Sequence, residues 1–178
     1  MEYTDVINTI AAFGTLSAII VALFANQISN KNTRKQIRVD KLENLYEVID
    51  LFSGYYGIYM PLFFDIKAYQ DPENKEIQSM SDYYKKRDER LSTDDKQQIR
   101  SNLSKLEMLT KCYTGGDLQK EVLKFRDLVF SFSDLVINGG SLHYETKYKK
   151  QGFPDYDKFY KMVDELKEKI ALEMAIGN

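Results

Sequence analysis

VINTIAAFGTLSAIIVALFANQISN, residues 6–30, contains no charged side chain, although Asp, Glu, Lys and Arg make up 29% of the chain. A helix rises about 1.5 Å per residue and the hydrocarbon core of a bilayer is about 30 Å thick, so about 20 apolar residues cross it. The stretch predicts a single membrane-spanning helix. Glu2 and Asp5 precede it; Lys31, Arg34, Lys35, Arg38 and Lys41 follow, interrupted only by Asp40. Positive flanks stay cytoplasmic. The expected layout is a span with a short external N-terminus over residues 1–30 and a cytoplasmic helical bundle over residues 31–178. A cleaved leader fits poorly, since it needs a basic start and a shorter apolar core of about 7–15 residues. The single cysteine, Cys112, excludes a disulfide framework and is expected to be a small buried apolar residue.

Successive residues on a helix are set about 100° apart, and this sorts the span into two faces. Ala11, Gly14, Ala18, Ala22, Ala25 and Ser29 share a narrow stripe; Phe13, Leu16, Ile20, Leu23 and Phe24 stand opposite. Lipid tails give no hydrophobic drive for helix association, so a seam of small residues supplies attraction through close packing. Ala11, Gly14, Ala18 and Ala25 are the expected packing residues. Asn8, Thr15 and Asn26 lie at the edge of that seam, and amides in hydrocarbon require a partner or water. One helix encloses no channel. A pore built from this span is therefore a closed homo-oligomeric ring, with Asn8, Thr15, Ala22 and Asn26 turned to the lumen.

No proline or glycine occurs between Gly14 and Gly54, and apolar residues resume after the basic stretch at Leu42, Leu45, Ile49 and Phe52. One continuous helix is predicted from about Thr4 to Phe52, about 70 Å long. Its basic collar, Lys31, Arg34, Lys35, Arg38 and Lys41, suits anionic lipid headgroups, and direct RNA binding is not expected.

The remainder reads as an all-α bundle. A second helix is predicted from near Pro61 to Gln70, with the tyrosines and phenylalanines around residues 53–64 in a loop and available as a contact surface. Asp71-Pro72 ends that helix, and Ile77–Arg90 reads as a short helix or a loop. Ser92 and Asp95 form a capping-box pattern opening a helix to about Cys112, with Ile99, Leu103, Leu106 and Leu109 on one face. Gly115-Gly116 ends it. Asp117 is expected to cap a strongly apolar helix over Leu118–Ile137, closed by Gly139-Gly140. The last helix is expected over about Asp155–Met174, with Phe159, Met162, Val163, Leu166 and Ile170 inward.

Catalytic equipment is scarce. One histidine, His143, and one cysteine exclude the usual zinc sites, and no cofactor or metal is expected. No phosphate-binding Gly-x-x-x-x-Gly-Lys occurs, and the Gly-Gly pairs follow helices rather than opening them after strands. Asp94-Asp95 and Asp155-x-Asp157 start helices, where acids complement the dipole.

Asn138 stands five residues before His143, just past the most apolar helix. An all-helical bundle with a polar residue at this distance from a histidine resembles the HEPN superfamily, many of whose members are metal-independent RNases. That motif places arginine where this chain has Asn138. Without a guanidinium there is no fixed cation to steady a phosphate in the transition state, so the position reads as degenerate and non-enzymatic. The acidic N-terminus, small-residue span, basic stalk and HEPN-like bundle together resemble the small Csx-type membrane accessory proteins of type VI-B CRISPR systems. The resemblance implies a homo-oligomeric pore of the bacterial inner membrane. It further implies a functional link to an RNA-guided RNase effector and defence against phage through membrane depolarisation. The alternatives are a membrane-anchored HEPN-like RNase using His143, and an anchored interaction module without pore activity.

Overall fold

A computed structural model describes residues 3–71, 73, 77–139 and 152–177, with side chains from Val21 to Ala175. Five helices account for its regular structure: α1 Tyr3–Gln70, α2 Met80–Arg90, α3 Thr93–Tyr113, α4 Gly116–Asn138 and α5 Tyr156–Gly177. No strand occurs among the described residues. α1 packs against each of the other four, and α4 bridges α3 and α5. The all-α expectation holds.

The first helix is longer than its sequence signals. It has 68 residues, about 100 Å at the standard rise, and passes through Pro61 without a break. The expected stop near Phe52, the loop, and a second helix opening at Pro61 are therefore corrected. Proline inside a helix costs about 3 kcal/mol because it removes one hydrogen bond and crowds the carbonyl four residues earlier. Here that carbonyl belongs to Gly57, which is exposed and has no side chain, so water can take the lost bond. On both sides the helix is pinned by fully buried residues, Tyr56, Tyr59 and Leu62. Burying such side chains contributes about 1.5–3 kcal/mol each, which outweighs the proline.

The aromatic residues around 53–64 are accordingly core and not a contact surface. Tyr55, Tyr56 and Tyr59 are buried, while Phe64 alone among them is largely exposed. Tyr56 lies flat on Phe159 of α5, with ring centroids 3.5 Å apart, and meets Phe132 of α4 edge-on at 5.2 Å. Each tyrosine brings a polar tip that needs a partner. Tyr56 donates to the Pro154 carbonyl at 2.5 Å, and Tyr59 shares a hydrogen bond with the Ser133 hydroxyl at 2.9 Å. Burial pushes the Tyr56 and Tyr59 hydroxyls well above the ordinary tyrosine value, so both stay protonated and neutral.

The predicted inward faces of the other helices are confirmed. Ile99, Leu106 and Leu109 of α3 are buried, as are Leu118, Val122, Phe125, Val129, Phe132 and Val136 of α4. On α5, Phe159, Val163, Leu166 and Ile170 are buried. Two local readings are corrected. Gly115, not Asp117, is the N-cap of α4, and Asp117 instead pairs with Lys120 at 3.0 Å. Cys112 is exposed: it falls two positions past Thr110, where the buried stripe of α3 ends.

Three helix starts carry side-chain caps, and the Ser92–Asp95 box is the one the sequence predicts. Ser92 and Asp95 close a reciprocal capping box, Ser79 caps α2 through the Asp82 backbone, and Asp155 accepts from the Lys158 backbone at 2.9 Å. Three carboxyls sit below the ordinary value of 3.8 as a result. For Asp95 and Asp82 the largest cause is the serine hydroxyl; for Asp155 it is the Lys158 amide. A depressed folded-state value means that the charged form is favoured by folding. This contribution is complete above pH 3.8 and is lost as the pH falls below it through each depressed value. Thermal unfolding of the full chain is thus expected to be nearly flat from neutral pH down to about 4 and to fall below it. Ser92→Ala is expected to weaken the acid slope; an unchanged slope would show that the capping box carries none of it.

Candidate functional site: the projecting first helix and its collar

α1 leaves the bundle at its N-terminal side. Leu42 and Leu45 are buried, Arg38 and Val39 are half-buried, and every described residue from Val21 to Ile37 is exposed. Arg38 is the last tie, donating to the Glu173 carboxylate of α5 at 2.5 Å. Beyond it Val21, Leu23, Phe24 and Ile28 stand 59–66% exposed. Each forgoes about 1.5–3 kcal/mol that burial would supply. An apolar helical arm with no tertiary partner calls for a covering that lies outside the chain's own fold.

Among the described residues no helix is long and apolar enough to cross a membrane. Of the expected span, only Val21–Asn30 has described side chains; those of Asn8, Ala11, Gly14, Thr15 and Ala18 lie outside them. Ala22, Ala25 and Asn26 are described and exposed. Asn26 accepts from the Asn30 amide at 3.3 Å, so part of its polarity is satisfied along the helix.

Because α1 is continuous, its angular register carries from the arm into the bundle. At about 100° per residue, Lys31, Arg34, Lys35 and Arg38 fall on the stripe that becomes Leu42, Leu45, Ile49 and Phe52. Leu23 and Phe24 lie on that side as well. Ala22, Ala25 and Ser29 fall about 180° away. The small-residue stripe thus points away from the chain's own bundle, and the cations overhang it. The cationic side of this exposed stretch carries Gln27, Asn30, Lys31, Arg34, Lys35 and Arg38 next to one another. Lys41 is half-buried and stands apart from them.

The second candidate site lies at the far end of α4. His143 is outside the described residues. Asn138 donates to the Asp134 carboxylate at 2.7 Å. The last carbonyls of α4 are taken by α2: Tyr83 donates to Val136, Arg87 to Ile137 at 2.5 Å, and Tyr84 to Asn138 at 3.3 Å. Gly139 adopts φ 65°, and a Cβ there would fall 2.1 Å from the Met80 methyl. This is a helix end sealed by its neighbour. Burial pushes the Tyr83 hydroxyl up, keeping it a donor. Sequence spacing carries no sign of this role for α2, because the partners are fifty or more residues apart.

A cleft of about 90 Å³ beside Asn138, between α3 and α4, is lined by Arg100 and also by Asp134.

The fold defines an all-helical bundle with one helix projecting from it. No protein family, curated protein or solved structure matches the chain.

Proposed function

We propose that the chain is a single-pass inner-membrane protein, with its N-terminus outside and its bundle in the cytoplasm. Its first helix assembles with identical copies into a closed ring around a conduit. The observation that carries this reading is the arm of α1, which leaves the bundle exposed from Val21 to Ile37, uncharged through Asn30 and basic from Lys31 onward. Residues 6–30 supply the span and the collar meets the headgroups. The register supports the rest of this reading. With small residues facing away from the bundle, the arms pack together at the centre and the bundles radiate outward. Asn8, Thr15, Ala22 and Asn26 then face the lumen, and Ala11, Gly14, Ala18 and Ala25 form the seam.

In this reading the bundle is a non-catalytic, HEPN-like scaffold. Asn138 serves the end of α4 and not a phosphate, and the protein needs no cofactor. By resemblance to the Csx-type accessories, opening of the conduit depolarises the membrane and strengthens RNA-guided antiphage defence. An anchored interaction module working through the tyrosine-rich segment is disfavoured, because those tyrosines are interior.

The test exchanges residues 6–30 for an unrelated single-pass anchor in the full chain. Ion flux through vesicles carrying the natural chain, abolished by the exchange, is the expected result. Equal flux with either span, or none with the natural one, would overturn the conduit.

A further inference from the structure

We infer that the conduit proposed above is selective for cations, with Asp40, Glu43 and Glu47 of every copy ringing its cytoplasmic mouth. The inference rests on that reading and goes past it by naming what crosses. The residues assigned to the lumen, Asn8, Thr15, Ala22 and Asn26, carry no charge and do not sort ions by sign. The charges that can do so lie lower on the same helix. At about 100° per residue, about 18 residues make five whole turns. Asp40 stands at that distance after Ala22, Glu43 after Ala25 and Glu47 after Ser29. The three carboxylates therefore continue the small-residue stripe about 27 Å further along the helix. α1 is unbroken between them. Arms that pack through the stripe turn these acids toward the same axis.

Two further observations give the row its effect. Asp40, Glu43 and Glu47 are exposed and form no ion pair among the described residues, whereas the next acid, Asp50, is tied to Lys167 of α5. The cations of this stretch stand on the other side: Lys31, Arg34, Lys35, Arg38 and Lys41 all fall on the half of α1 that enters the bundle. Charge is thus separated by face, with anions toward the axis and cations away from it. Headgroup attraction uses the cationic face and leaves the acidic one free. Glu43 and Glu47 are one helical turn apart and repel each other, a pattern that a merely solvated face avoids by alternating signs. Closing a ring repeats the row in every copy, so the walls of the mouth come from neighbouring subunits. Rings of Asp and Glu concentrate cations at a pore and repel anions.

The experiment records reversal potentials of the full chain in planar bilayers under a KCl gradient. A K⁺ to Cl⁻ permeability ratio on the order of 10 is expected, largest in dilute salt because added ions screen the ring. Asp40→Asn, Glu43→Gln and Glu47→Gln together should bring the ratio to about 1 while discrete current steps persist. Asp40→Lys, Glu43→Lys and Glu47→Lys together should turn the preference to anions. Asp164→Asn with Glu168→Gln, at exposed acids of α5, should leave the ratio unchanged. A ratio near unity or a chloride preference in the natural chain overturns this inference alone, since the current itself upholds the conduit. A cation preference that survives the neutral triple variant overturns it as well. A bilayer that stays insulating with the natural chain inserted defeats the conduit reading, and its selectivity with it.

Discussion

Phe132→Ala is expected to lower the unfolding free energy by about 3–5 kcal/mol, because the ring fills the centre of the bundle and little around it can collapse into the space. Phe132 is fully buried on α4. It meets Tyr56 and Tyr59 edge-on at 5.2 and 5.5 Å, meets Phe63 at 5.7 Å, and stacks on Phe153 at 4.0 Å. α1, α4 and the segment before α5 thus meet at one side chain. Domains are stable by about 5–15 kcal/mol, so the loss takes a large share of the total. Denaturant unfolding of the detergent-solubilised chain, followed by tyrosine near-ultraviolet circular dichroism, checks it. Phe64→Ala is the control: its ring is 56% exposed, and its removal should cost well under 1 kcal/mol. Equal losses at the two positions would mean that the aromatic cluster is not the centre of the fold.

Ala18→Leu is expected to abolish ion flux while leaving the bundle folded. The contacts between spans are individually weak, about 1–2 kcal/mol per polar contact at best, and depend on close approach of backbones. A leucine at the middle of the seam holds neighbouring helices apart, and Gly14→Leu should act in the same way. Because this stripe lies about 180° from the face that enters the bundle, neither change touches the core. Flux and circular dichroism on the same preparation separate the outcomes. Lost flux with unchanged helicity agrees with the seam, whereas undiminished flux would show that the small residues do not line the assembly.

Sequence periodicity was most informative where a single helix has one wet and one dry side. The stripes of α3, α4 and α5 were legible residue by residue, and so were the Ser92–Asp95 box and the glycine stop at 139. It failed at Pro61, where local chemistry argues for a break and tertiary burial of Tyr56, Tyr59 and Leu62 overrides it. Cys112 departs from its expected burial for a simpler reason: small apolar character favours the interior, but the residue lies off the stripe of Leu106 and Leu109. At the candidate sites, the collar was visible as charge. Its position over the bundle was not, since that depends on one helix keeping its register from the arm through Phe52. The sealing of α4 by Tyr83, Tyr84 and Arg87 likewise needs three dimensions.

The most direct measurement is single-channel recording from the full chain in a planar bilayer, with one thiol placed at Ala22→Cys. The exposed Cys112 is first replaced by serine so that the reagent has one target. Discrete current steps that close when a membrane-impermeant cationic thiol reagent is added are the predicted result. A bilayer that stays insulating with the protein inserted, or currents indifferent to the label, would contradict a conduit walled by this face of α1.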